Sequence, residues 1–207
     1  MPSMVERLTH TAYIPVITGE SSEAAAATAS LLFNKGFEIQ ELVMGSPASW
    51  EALKAIRLAC PTLLLGAGGL LNVGQCEQAV ALGADFLLSP GSSFSLADAM
   101  LSNPALSETT WIPGVVTPSE MMGMLELGYS LQQLFPVAEQ AMVTLKAVAP
   151  VFTELALLVS GVADLDTAAR YLAQPNVAGV SGSVLTEHAC ADEVASLAEF
   201  AQQVKAR

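Results

Sequence analysis

Positive charge is scarce in this chain: 8 Lys and Arg stand against 20 Asp and Glu in 207 residues, a formal net charge of −12. Binding along a nucleic acid or to an acidic membrane surface relies on cations that displace counterions. DNA, RNA and membranes are therefore not expected partners. Histidine is scarcer still, with 2 residues, and the 3 cysteines, Cys60, Cys76 and Cys190, show no Cys-x-x-Cys spacing. This excludes a disulfide framework or zinc site as the organising feature and leaves each cysteine reading as a small buried hydrophobe. His188 and Cys190 lie two apart near the C-terminus, but a pair falls short of a metal's ligand set. Neither a metal nor a cofactor is expected. Long apolar runs are also missing. Although 52% of the residues are hydrophobic and the mean hydropathy is +0.49, stretches such as 62–73 and 155–159 are cut by Gly, Asn or Ser. They end well short of the roughly 18 residues of a bilayer span. The opening Met-Pro-Ser-Met-Val-Glu-Arg has no basic region leading into an apolar one, which points to a cytoplasmic protein. One domain over 1–207 with a large buried core is the expected organisation.

What is present is an alternation. Short apolar segments at 12–17, 38–44, 63–66, 86–88, 111–112, 131–134, 155–159 and 177–180 are each followed by a longer amphipathic one. Those longer segments fall at 21–35, 47–60, 73–82, 96–102, 120–127, 139–148, 165–172 and 193–205. Ser21 or Ser22 can cap the first helix, with Gly36 as its stop; Ser46 is placed to cap the second, with Pro47 in its first turn. Strand-helix repeats without a dividing linker predict parallel strands joined by crossover helices. Leu63-Leu64-Leu65 and 155–159 are continuous apolar runs, as strands buried on both faces are. The expectation is a closed (β/α)8 TIM barrel. An open doubly wound sheet would carry Gly-x-Gly-x-x-Gly after its first strand. The nearest match, Gly66-Ala67-Gly68-Gly69-Leu70-Leu71, follows the third and lacks the last glycine.

Ligands of such barrels sit at the C-terminal strand ends. In this chain those ends carry Thr18-Gly19, Glu41 with Met44-Gly45, Gly66 to Gly69, Ser89-Pro90-Gly91, Pro113-Gly114, Phe135-Pro136, Ser160-Gly161 and Ser181-Gly182-Ser183. Glycine and proline there also make tight turns with no ligand. The last two sets follow the seventh and eighth strands, where backbone N–H groups and hydroxyls can cradle a phosphate. Ser160, Gly161, Gly182 and Ser183 are the candidates, and no Lys or Arg accompanies them. Glu41 lies inside a strand and by alternation shares a face with Ile39 and Val43, opposite Gln40, Leu42 and Met44. A carboxylate facing the barrel interior would have a raised pKa and could serve as general acid or base; the other reading is a hydrogen-bonded structural Glu.

Nearly the whole chain resembles the family of 2-keto-3-deoxy-6-phosphogluconate and 4-hydroxy-2-oxoglutarate aldolases. The resemblance is carried by Ile14-Pro15-Val16-Ile17, Gly36-Phe37-Glu38-Ile39-Gln40-Glu41, Gly66-Ala67-Gly68 with Leu71-Asn72, and Ala81-Leu82-Gly83-Ala84-Asp85-Phe86. It continues through Leu88-Ser89-Pro90-Gly91, Ile112-Pro113-Gly114-Val115-Val116-Thr117-Pro118-Ser119-Glu120, Phe135-Pro136-Val137-Ala138-Glu139 and Val180-Ser181-Gly182-Ser183. The family implies a pyruvate-releasing carbon–carbon lyase that needs no cofactor, acts on a keto acid or sugar-acid phosphate, and assembles as a homotrimer. A sixth-strand lysine forms a Schiff base there, with a second-strand glutamate, matched by Glu41, moving protons.

Gln133 stands at the lysine's place, two residues before Phe135-Pro136. A carboxamide cannot form an imine. Gly45 stands where the family usually carries arginine, and Gly69 where threonine follows Gly-Ala-Gly. The resemblance thus makes Glu41 and Gln133 the candidate catalytic positions, with Gly45, Gly66, Gly69, Pro113 and Phe135 on the substrate. The four lysines, Lys35, Lys54, Lys146 and Lys205, are expected at helix ends or in the outer layer. Three readings follow: an aldolase, a keto-acid or phosphate-binding barrel without the Schiff-base reaction, and enolisation or isomerisation with Glu41 as base.

Overall fold

A computed structural model describes residues 2–138, 140–183 and 191–205. After α1 (Met4–Thr11), strands and helices alternate: β1 (Tyr13–Thr18), α2 (Ser22–Asn34), β2 (Ile39–Val43), α3 (Ala48–Ala59), β3 (Leu64–Gly68), α4 (Val73–Ala81), β4 (Phe86–Leu88) and α5 (Phe94–Ser102). Then come β5 (Thr110–Ile112), β6 (Gly114–Val115), α6 (Pro118–Glu126), β7 (Leu131–Leu134), α7 (Ala141–Val148), β8 (Ala156–Ser160), α8 (Leu165–Leu172), β9 (Val177–Gly182) and α9 (Ala191–Lys205). The strands form one parallel sheet in the order β5-β4-β3-β2-β1-β9-β8-β7-β6. Its two ends, β5 and β6, are separated in the chain by Pro113 alone, so the sheet curls into a TIM-type barrel. The fifth strand expected from the sequence is these two short pieces. Proline has no N–H for a ladder, and Ile112 pairs toward β4 while Gly114 pairs toward β7.

Burial follows strand alternation. Leu42, Leu65, Leu87, Trp111, Leu134, Leu157, Val159 and Val180 face the helices in the larger core. Ile14, Ile39, Phe86, Leu88, Ile112, Leu131, Leu158 and Ala178 fill the barrel. Leu8, fully buried on α1, joins that interior cluster beside Gly179 and closes the end opposite the cavity described below. The alternation of strands and helices does not reveal α1. Its signal is the pair Ser3 and Glu6, three apart, which form a capping box.

Most other helices start on side chains suited to the task. Ser21, Asn72, Ser93, Thr117 and Asp164 each accept a backbone N–H of the first turn. Ser46 differs from expectation: α3 has no side-chain cap, and the Ser46 hydroxyl instead meets that of Ser49 at 3.3 Å.

Two strand entries share one local design. Gly36 and Gly128 have φ of +90° and +91°, a region open to glycine, and end α2 and α6. Four residues later, Gln40 and Gln132 turn outward to the helices. The Gln40 amide donates to Ala29 O and Phe37 O, and the Gln132 amide donates to Met121 O and Tyr129 O. The following residues, Glu41 and Gln133, consequently turn into the barrel.

Candidate active site

A cavity of about 210 Å³ opens at the C-terminal ends of the strands. Its wall combines Val16 of β1, Glu41 and Val43 of β2, Gln133 of β7, Ser160 of β8 and Ser181 and Gly182 of β9. Gly69, Pro90, Phe135, Gly161 and Ser183 complete it from the loops.

Glu41 is 6% exposed. Burial pushes its carboxyl up to about 7, opposed in part by a hydrogen bond with the Ser181 hydroxyl. Its Oε2 has no hydrogen-bond partner. Gly68, on the neighbouring strand, supplies the room, because a side chain there would overlap Glu41 Oε1. Ser181 Oγ donates to Ser160 Oγ at 2.9 Å. Hydroxyl hydrogens rotate, so this arrangement suits a protonated Glu41 that donates to Ser181. Reversal of the hydrogens gives the ionised carboxylate a donor.

Gln133 faces the cavity from β7 and is held at two points. Its backbone N–H donates to Pro113 O at 2.8 Å, and one amide N–H donates to Ser89 O at 2.9 Å. Ser89 is itself fixed, accepting from Trp111 Nε1 at 3.0 Å and donating to Gly91 O at 2.7 Å. The Gln133 side chain is therefore part of a buried polar network.

The loops after β8 and β9 fold onto each other. Gly161 N–H and Val162 N–H both donate to Ser181 O, at 3.0 and 3.1 Å, and Tyr13 Oη donates to Gly182 O at 2.9 Å. A Cβ at Gly182 would overlap Val162 O. Close packing between these loops accounts for glycine at that position.

Glu41, Gln133, Gly69, Phe135, Ser160, Gly161, Gly182 and Ser183 thus meet around one cavity, as the sequence suggests. Gly45, Gly66 and Pro113 do not line it. Gly66 packs against Phe86, whose ring a Cβ at 66 would overlap, while Gly45 is exposed past the end of β2. Pro113 is buried at the strand break and contributes its carbonyl to Gln133. Sequence reasoning missed three supporting roles: the space at Gly68, the Ser89 carbonyl and the placement of Ser181 beside Glu41. The bulge between β8 and β9 hides the last, since Leu157 pairs with Val177 but Leu158 pairs with Gly179.

Lys35, Lys54 and Lys146 are exposed at or on helices, and Lys205 ends α9; none is among the described lining residues. Among the described residues no three His, Cys, Asp or Glu side chains are grouped to hold a metal, and no helix is long and apolar enough to cross a membrane. His188, Cys190 and Glu139 lie outside the described residues.

The fold and site define a TIM-type α/β barrel with a carboxyl and a carboxamide in a cavity at its strand ends. Residues 4–199 match the model of the KDPG and KHG aldolase family, and the chain belongs to that family. It is 33% identical over 186 residues to the 2-dehydro-3-deoxy-phosphogluconate aldolase of Treponema pallidum, covering 88% of this chain and 86% of that one. The KDPG aldolase of Legionella pneumophila, solved with pyruvate captured as a covalent carbinolamine intermediate, superposes with a TM-score of 0.85 at 31% identity. That match covers 98% of each chain. The KDPG aldolase of Zymomonas mobilis ATCC 29191 gives a TM-score of 0.85 at 27% identity over 95% of each chain.

Proposed function

We propose that this protein is an aldolase-family barrel that binds a small keto acid or sugar-acid phosphate at the Glu41 and Gln133 cavity without forming a Schiff base. The observation that carries this reading is Gln133. A carbinolamine, such as that captured in the Legionella relative, forms by addition of an amine to the pyruvate carbonyl and precedes loss of water to an imine. An amide nitrogen delocalised into its carbonyl does not make that addition, and the described lining residues include no lysine. Phe135 and Gly69 are the proposed neighbours of the ligand's carbon chain, with Ser160, Gly161, Gly182 and Ser183 toward any phosphate. Gly45, Gly66 and Pro113 support the surrounding backbone. The reading includes one domain over 1–207, a cytoplasmic location and the homotrimer implied by the family resemblance. Exposed Phe94 and Leu71, at 82% and 66%, suit burial between subunits, which sedimentation tests directly.

Incubation with pyruvate and borohydride, followed by intact-mass spectrometry beside a family aldolase as control, tests the loss of imine chemistry. No mass increase is expected here. A pyruvyl adduct would overturn the reading.

The titration of Glu41 near neutrality favours a second reading, enolisation. Glu41 would accept a proton from the carbon beside the keto group, and the second amide N–H of Gln133 would donate to the enolate oxygen. Exchange of the pyruvate methyl protons in deuterated water, abolished by Glu41→Ala, is its expected signature. A rate equal to that of buffer alone would exclude it.

A further inference from the structure

The described lining of this cavity offers a ligand anion no positive charge. Among the described lining residues Glu41 is the only ionisable side chain, and no lysine or arginine is present. The side chains around the carboxyl are Val16 from β1, Gln133 from β7, Ser160 from β8 and Ser181 from β9, with Gly68 bare on β3. None of these carries a charge. The N–H groups of Gly161, at the rim, and of its neighbour Val162 donate to Ser181 O.

Burial of Glu41 and a described lining without a cation disfavour a second ionised carboxylate beside it. We infer that the cavity takes a carboxylate ligand only together with a proton on Glu41, whereas a small uncharged oxo or hydroxycarbonyl compound enters without one. The hydroxyl pair accommodates the protonated state: hydroxyl hydrogens rotate, so Ser181 either donates to the ionised carboxylate or donates onward to Ser160 at 2.9 Å, which leaves the Glu41 acid proton for a ligand. The carboxyl's titration at about 7 supports the same state, because its proton is already half held at neutral pH without a ligand. Proton balance is simple: a ligand carboxylate enters, one proton is taken from solvent onto Glu41, and the pair shares it as an acid–carboxylate hydrogen bond.

This inference rests on the cavity being the ligand site, and two probes separate its failure from failure of the keto-acid reading. Binding of pyruvate and of uncharged pyruvamide to the full chain is measured by calorimetry at pH 6 and pH 9, in buffers of different ionisation enthalpy. Pyruvate affinity is expected to fall about tenfold for each pH unit above about 7, with uptake approaching one proton at pH 9. Pyruvamide is expected to bind at both pH values without that loss, and Glu41→Gln is expected to remove the pH dependence of pyruvate. Pyruvamide binding with no pyruvate binding at either pH would remove the keto-acid reading and leave this inference standing. Pyruvate binding that is equal at both pH values without proton uptake would overturn it, as would no pyruvamide binding.

Discussion

The Glu41 carboxyl occupies the space that a side chain at Gly68 would fill: an ideal Cβ there overlaps Oε1 and lies 2.9 Å from Cδ. The acid on β2 therefore depends on a missing side chain on β3. Gly68→Ala is expected to destabilise the fold by about 1–3 kcal/mol through forced movement in a packed site. In a Glu41→Ala background the same change should cost much less. Urea unfolding of the four proteins gives the coupling directly, and an equal cost in both backgrounds would contradict the placement.

Stability should depend on pH through Glu41. Its carboxyl rises from 4.5 to about 7 in the folded chain, so the folded state holds this proton more tightly than the unfolded state. The contribution is fully present below pH 4.5 and is lost as pH rises through about 7. The loss is on the order of 3 kcal/mol. Glu41→Gln should therefore gain stability relative to the parent between pH 4 and pH 8. Comparing the two proteins cancels the other carboxyl groups, and parallel curves would show that the buried acid does not titrate in this range.

Gln40 and Gln132 should be matched in energy as they are in geometry. Each amide donates to two carbonyls, all buried except the part-buried Tyr129 O, so Gln40→Leu or Gln132→Leu leaves both without that donor. A cost of about 1–3 kcal/mol is expected for each, read as a shift in urea midpoint. Variants as stable as the parent would show that other donors or water replace the amide.

Gln133→Lys places a primary amine in the cavity wall and removes the donor to Ser89 O. A borohydride-trapped pyruvyl adduct at residue 133 is the expected outcome, located by peptide mass mapping. Absence of an adduct in a folded variant would mean that more than this exchange separates the cavity from imine chemistry.

The barrel was legible because strands buried on both faces leave continuous apolar runs, as in Leu63-Leu64-Leu65. The two-residue period put Glu41 on one face with Ile39 and Val43, but which face is the barrel interior is decided by the closed sheet and not by that period. Gly66 and Gly45 were not separable from cavity glycines by sequence, because a strand-end glycine can serve a ligand, a turn or a neighbouring ring. Phe86 occupies the space above one, and solvent surrounds the other. Ser181 reaches Ser160 through a register shift produced by pairing, which no local pattern carries.

Pro113 joins the two ends of the hydrogen-bonded sheet, so the barrel is a hoop whose buckle is covalent. The peptide on one side of that buckle lends its carbonyl to Gln133 N–H. Slack in the hoop would consequently be felt first at the cavity wall rather than spread evenly around the circumference. A change at residue 113 reaches the site without touching a ligand, by altering how far the wall bearing Gln133 stands from the one bearing Glu41.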